Sequence, residues 1–235
     1  IGASMIKVIK GKKVVAVIAV IAIIITICVA GVCYAYSTAW AISPNAQYTV
    51  VVDAGHGGID GGVVGSSGVK ESDINLKMAK ILRQKLQSRG FSVVMTREDE
   101  NSLSNIKRLD MQARKDKIIK ANPIVVISLH VNRFIADKSR RGAQVFYDDT
   151  GVGKEFADIM QQAINQNINS KYCGRSNYEA IDGDLFITKC VKVPSLIIEC
   201  GFISNPEDEK LLLSKEYCND LCENIASVIE TSVGA

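Results

Sequence analysis

The stretch Thr49-Val50-Val51-Val52-Asp53-Ala54-Gly55-His56-Gly57-Gly58 decides the fold. Thr49 to Val52, apolar or β-branched throughout, reads as a short buried strand, and a glycine-rich turn follows at once. His56 lies in that turn, at the carboxyl end of the strand, where open α/β sheets place their ligands. The chain has only two histidines. The other, His130, ends a second apolar run, Ile124-Val125-Val126-Ile127-Ser128-Leu129, and Glu199 ends a third, Pro194-Ser195-Leu196-Ile197-Ile198. Packing alone does not explain three strand ends that each carry a group able to bind or activate water. They point to a metal site.

Outward from this stretch, strands and helices alternate. The pattern predicts a helix from Ser72 or Asp73 to about Arg89, with Ile74, Met78, Ile81, Leu82 and Leu86 on one face and Gly90 as its stop. Phe91–Thr96 is the second strand. A helix opening at Ser104 turns Ile106, Leu109, Ala113 and Ile118 inward and ends before Pro123, with the basic residues between Lys107 and Lys120 on its solvated face. Ala143–Tyr147 reads as an edge or partner strand, Lys154 to about Asn167 as a helix, and Asn169 to Gly183 as an irregular rim. Leu185–Ile187 and Leu196–Cys200 are the last strands, and helices over Glu207–Leu213 and Ser214–Thr231 close the chain. This alternation implies an α/β fold, a single mostly parallel sheet with helices on both faces. The uninterrupted apolar runs before His130 and Glu199 mark central strands, so both residues emerge from the middle of the sheet.

The chain has 235 residues, room for one sizeable domain and an appendage. Residues 1–4, Ile-Gly-Ala-Ser before Met5, read as a cloning scar. Lys7, Lys10, Lys12 and Lys13 precede an uncharged apolar run from Val14 to Tyr36. At about 1.5 Å per helical residue that run is roughly 34 Å long, enough to cross a bilayer. Residues 5–36 are therefore expected to be a membrane anchor or signal segment, with the later chain exported. The length favours an anchor, while Ala39-Trp40-Ala41 resembles a cleavage site. A linker over 37–47 and one domain over 48–235 follow. The net charge is +3, but four positives lie in the leader, leaving 24 cations against 25 anions. Such a domain is not a nucleic-acid binder by electrostatics. The seven cysteines include no C-x-x-C pair and read mostly as buried thiols, with a Cys173–Cys190 bridge the one pairing considered.

A catalytic zinc takes three protein ligands and keeps one position open, and two histidines with a glutamate are a known set. His56 and His130 supply two ligands. The carboxylates near the first are Asp53, Asp60, Glu71 and Asp73. Glu71, at a helix start with glycine-rich slack behind it, is favoured over Asp60 in the turn, and Asp53 is expected to anchor the loop by accepting backbone N–H bonds. Glu199 plays a separate part. A carboxylate ending a buried strand is desolvated, which raises its pKa towards that of a working general base. The glycine-rich loop lacks the Gly-Lys-Ser/Thr ending of a phosphate cradle. Cys200, next to Glu199 on a strand, should face the opposite side of the sheet.

Several motifs in order, Val51-Val52-Asp53-Ala54-Gly55-His56-Gly57-Gly58, Glu71 before a long helix, Thr96-Arg97, Ser128-Leu129-His130-Val131-Asn132 and Ile198-Glu199-Cys200-Gly201-Phe202-Ile203-Ser204-Asn205, resemble the type 3 zinc-dependent N-acetylmuramoyl-L-alanine amidases. The resemblance runs from about Tyr48 to the C-terminus. It implies a six-stranded sheet between helices, zinc held by His56, Glu71 and His130, and Glu199 as catalytic acid/base. It also implies a peptidoglycan substrate, cut at the amide between the lactyl group of N-acetylmuramic acid and the L-alanine of the stem. One catalytic domain behind an N-terminal membrane segment looks most like the spore-cortex amidases, which are implied to strip whole peptides so that muramic-δ-lactam can form. Two other readings are another zinc hydrolase of peptidoglycan (a peptidase or deacetylase) and a wall-binding protein that is non-catalytic or needs an exported partner.

Overall fold

The computed structural model describes residues 15–31, 48–148, 152–174, 177–183 and 185–233. The chain divides into two units, Ile1–Pro44 and Asn45–Ala235. In the first, residues 15–31 form a helix, α1, with exposed side chains. No helix among the described residues is long and apolar enough to cross a membrane. The rest of the expected Val14–Tyr36 span, its flanking lysines and the 37–47 linker lie outside the described residues.

The second unit is a six-stranded sheet in the order β2-β1-β3-β6-β4-β5. The strands are β1 (Thr49–Ala54), β2 (Ser92–Met95), β3 (Val125–Asn132), β4 (Gln144–Tyr147), β5 (Ile181–Asp182) and β6 (Ser195–Phe202). All neighbours pair in parallel except β4 and β6. The helices are α2 (Glu71–Ser88), α3 (Lys107–Ala121), α4 (Lys154–Ile164), α5 (Ser170–Cys173), α6 (Pro206–Leu213) and α7 (Lys215–Val233). The α/β class and the mostly parallel sheet expected from the sequence are what the chain adopts.

Alternation along β1 divides the core. Val50, Val52 and Ala54 pack with Ile74, Met78, Leu82 and Leu86 of α2 and with α7, all in one large apolar cluster. Val51, Val126 and Ile197 face the other way, towards Ile118 of α3 and Ile187. Cys200 lies in the first cluster, on the opposite side from Ile197, as strand alternation requires. Cys173, Cys190, Cys200, Cys218 and Cys222 are free thiols, so the Cys173–Cys190 bridge is not formed.

Several elements differ from expectation. Helix α2 begins at Glu71, behind Lys70, which gives no side-chain cap, so Glu71 and Asp73 complement the helix dipole in the first turn. Helix α3 turns Asp110, Arg114 and Ile118 inward, while Ile106 and Leu109 are exposed. Arg114, read as part of a solvated face, is 2% exposed, because it pairs with Asp53 of β1 beneath the helix and with Asp110 one turn earlier on the helix itself. Leu185–Ile187 is not a strand: Phe186–Lys189 winds into a 3-10 turn, and β5 at Ile181–Asp182 takes the sheet edge.

Helix α4 runs beyond Asn167 through a π-helical turn, Asn165–Asn169, into α5. That turn aligns three amide side chains along β4. Val145 N donates to Gln161 Oε1 at 2.7 Å and Ala143 N to Asn169 Oδ1 at 2.7 Å. Asn169 Nδ2 returns a bond to Ala143 O at 2.8 Å. Asn165 Oδ1 accepts from Gln161 Nε2 and Asn169 Nδ2 at 3.1 and 3.0 Å. Side-chain amides thus satisfy backbone groups that a neighbouring strand would otherwise take up.

Candidate metal centre

Strand β1 delivers its chain to the site through Gly55 and His56. Gly55 N donates to Leu129 O at 3.1 Å, which locks the turn against β3. A Cβ on Gly55 would run into the His130 ring, so the close approach of that imidazole requires glycine there. His56 has φ 61°, a left-handed conformation costly for a histidine. Two buried arginines hold it. Arg114 donates to Ala54 O at 2.7 Å and His56 O at 2.5 Å. Arg97 donates to Ala54 O at 2.9 Å, Gly55 O at 3.0 Å and Ser72 O at 2.8 Å, tying the turn to the start of α2.

Asp53 anchors this arrangement from below, through side-chain donors rather than the expected backbone N–H groups. It accepts from Thr96 Oγ1 at 2.6 Å, Ser128 Oγ at 2.5 Å and Arg114 Nη1 at 2.8 Å. Burial pushes its carboxyl up, but Arg114 and the two hydroxyls outweigh that and hold it below the usual range.

Three side chains converge above. His56 Nε2 lies 3.2 Å and His130 Nδ1 3.0 Å from Glu71 Oε1. Ligand atoms from the three residues all lie within 4.8 Å of one another, and the two imidazoles meet edge to face at 5.0 Å. Glu71 is pinned independently: Val63 N donates to Oε2 at 3.0 Å and Val131 N to Oε1 at 3.2 Å. Asn75 Nδ2 bridges Gly55 O at 3.2 Å and Glu71 Oε1 at 3.4 Å. Burial raises the Glu71 carboxyl, and the bonds from His130, His56 and Val63 more than reverse this, so it stays ionised. Among the other acids weighed as a ligand, Asp60 Oδ1 sits 3.0 Å from His56 Nδ1, out of line for a hydrogen bond. Asp53 is engaged below the turn, and Asp73 is exposed on α2.

Glu199 on β6 is paired in register with His130 on β3. Residues in register on adjacent strands share a face, so the carboxylate stands beside the imidazole. Its Oε2 is buried and has no hydrogen-bond partner among the described residues. Burial, helped by the charge of Glu71 and opposed by both histidines, pushes its pKa up to about 7.

A cleft of about 520 Å³ opens from His56 and His130. Ile59, Met111, Leu185 and Phe186 give it an apolar wall beside the polar cluster. Sequence reasoning quoted Arg97 only within a motif, without a role, and placed Arg114 on a solvated face. The signal for Arg114 was available in Asp53, since a buried acid at a strand end requires a cation, and in Asp110 placed one helical turn before Arg114.

The geometry agrees with what the chain is similar to. It is 28% identical over 194 residues to the germination-specific N-acetylmuramoyl-L-alanine amidase of Bacillus subtilis, covering 79% of each chain. Its fold matches the CwlD amidase from Clostridioides difficile, solved in complex with the GerS lipoprotein, with a TM-score of 0.73 and 30% identity over 80% of this chain and 99% of that one. It also matches the amidase AmiC2 of Nostoc punctiforme, with a TM-score of 0.70 and 28% identity over 80% and 98% of the two chains. The family model described as N-acetylmuramoyl-L-alanine amidase matches residues 50–231, so the chain belongs to that family and is a peptidoglycan amidase.

Proposed function

We propose that the chain is a zinc-dependent amidase that hydrolyses the bond between the lactyl carbonyl of N-acetylmuramic acid and the L-alanine nitrogen of the stem peptide. His56, Glu71 and His130 would hold the metal, and Glu199 would serve as acid and base. The observation that carries this reading is the convergence of three ligand atoms within 4.8 Å, beside a carboxylate whose buried oxygen has no partner. The donor set fits: two imidazoles and an ionised carboxylate suit zinc, and three protein ligands leave a position open. Zinc bound there supplies Lewis acidity, polarising the carbonyl and making water acidic enough to attack near neutral pH.

The chain's own groups do the rest. Glu199, with a pKa near 7, takes the proton of the attacking water at its free oxygen. As the C–N bond breaks, the same oxygen returns that proton to the departing L-alanine nitrogen, so a neutral amine leaves and the carboxylate is restored. Arg97 and Arg114 keep the His56 turn in its costly conformation, and the apolar wall of the cleft excludes water beside the reacting bond.

The N-terminal lysines and apolar run support export, with residues 5–36 as anchor or signal, 37–47 as linker and 48–235 as the catalytic domain. Similarity to a germination-specific amidase supports spore cortex as the substrate and lactam formation as the outcome. A solved relative bound to a lipoprotein favours a second reading, in which an exported partner is needed for activity.

Glu199→Gln tests the assignment. We expect the variant to keep its fold and bind zinc while release of stem peptides from purified sacculi falls at least ~100-fold, the scale of lost acid–base catalysis. Full activity in that variant would rule the role out. Mass analysis of the products separates an amidase from a peptidase or deacetylase, because each cuts a different bond. Cleavage only when a second exported protein is added would establish the partner-dependent reading.

A further inference from the structure

The loop between His56 and Glu71 has little packing of its own: Ile59 is 78% and Val64 58% exposed. Its second half folds as a tight hairpin. Val64 bridges Lys70, Gly65 N donates to Val69 O at 2.9 Å, and Gly68 N donates to Gly65 O at 3.1 Å. The hairpin tip is gripped from another element. Glu209, on α6, accepts at Oε1 from Ser67 N at 2.8 Å and Ser67 Oγ at 2.7 Å. Its Oε2 accepts from Ser66 N at 3.1 Å and from the Ser66 hydroxyl. Glu209 is 4% exposed, and a Cβ on Gly65 would run into Oε1, so the glycine makes room for this carboxylate.

The base of the same hairpin meets the metal centre. Glu71 N donates to Val63 O at 2.8 Å, and Val63 N donates to Glu71 Oε2 at 3.0 Å. A short two-stranded bracket therefore links the Glu209 carboxylate to the Glu71 carboxylate. The turn that carries Glu209 fixes the opposite rim too. Asp208 Oδ2 accepts from Gly142 N at 2.8 Å and Phe202 N at 3.0 Å, and Asn205 Nδ2 donates to Lys138 O at 2.7 Å.

We propose that Glu209 is a positioning residue for the metal centre: by clamping the Ser66–Ser67 tip it sets the aim of Glu71 towards His56 and His130, and so how tightly the site holds its metal. This rests on the metal-centre reading above. Outer contacts that orient ligands typically change metal affinity by about 10–100-fold when removed.

The test measures zinc affinity of the full chain by competition with a chromogenic chelator, at a temperature where circular dichroism shows each variant folded. Glu209→Gln puts an NH₂ where one carboxylate oxygen accepts, and we expect ~10–100-fold weaker zinc binding with faster amide exchange across residues 64–69. The double variant Ser66→Ala/Ser67→Ala keeps both backbone donors and should lose less, while Glu207→Gln, on an exposed neighbour, should match the parent. A merely structural role would lower Tm but leave the zinc affinity of the folded Glu209→Gln protein within about twofold, and that result overturns the proposal. Should Glu209→Gln fail to fold, an unchanged affinity in the serine double variant overturns it instead. A parent chain that binds no zinc overturns the metal-centre reading itself, and this is seen in a different sample from the failure of the clamp.

Discussion

The two faces of the central sheet are built on different principles. Towards α2 and α7, Val50, Val52, Ala54, Ile127, Leu129 and Ile198 meet an unbroken apolar layer. Towards α3, under the site, the sheet presents Asp53 and Ser128, and the helix answers with Arg114 and Asp110. The apolar face provides non-directional adhesion that tolerates small shifts. The ionic face provides direction: each bond from Arg114 reaches a particular carbonyl or carboxylate, and two of those carbonyls flank the ligand turn. Both sides contribute stability, but only the α3 side adds aim, and the strained His56 sits on that side.

The largest effect should come from the ionic face. Arg114→Met strands two buried carboxylates and should cost ~3–5 kcal/mol in urea unfolding, with zinc affinity lost together with stability. Leu82→Ala on the apolar face should cost ~2–5 kcal/mol, yet leave zinc affinity of the folded protein unchanged. If both variants lose metal in proportion to stability, the division of labour between the faces is wrong.

Glu199→Gln should move stability in the other direction. The folded chain holds the Glu199 proton up to about pH 7, whereas the ordinary value is 4.5. The metal-free parent therefore loses stability as pH rises from the ordinary value through the folded one, because the unfolded chain releases the proton first. The variant lacks that loss and should be ~1–3 kcal/mol more stable than the parent above neutrality, the gap closing towards acidic pH. Thermal unfolding of both metal-free proteins across pH 4 to 8 checks the sign. The smallest effect is expected at the cleft mouth: Ile59→Ser removes an exposed side chain and should change stability by less than ~0.5 kcal/mol, so any change in kcat/KM for sacculi would report substrate contact.

The strands were legible where burial on both faces imposes continuous apolar runs, in β1, β3 and β6. Because His56, His130 and Glu199 sit at the ends of those runs, the sequence brought the main chemical groups into view along with the strands. The support beneath them was not legible. Asp110 and Arg114 at helical spacing look like an ordinary solvated pair, and only the buried Asp53 on a distant strand makes them core residues. Leu185 to Ile187 looked like a strand because three apolar residues carry no period that separates a strand from a turn. Gln161, Asn165 and Asn169 repeat every fourth residue as polar amides, which reads as an outer face, whereas Gln161 and Asn169 meet backbone groups of Val145 and Ala143 and Asn165 joins the two amides.

That row of amides also protects one of its own members from slow chemical change. Asparagine before serine, as at Asn169-Ser170, is a pair that slowly hydrolyses to aspartate in flexible peptides, and the helical backbone here withholds the cyclic geometry that the loss of ammonia requires. Were the conversion to occur, the nitrogen that now faces the Ala143 carbonyl would become an oxygen, and attraction would turn to repulsion at the sheet rim.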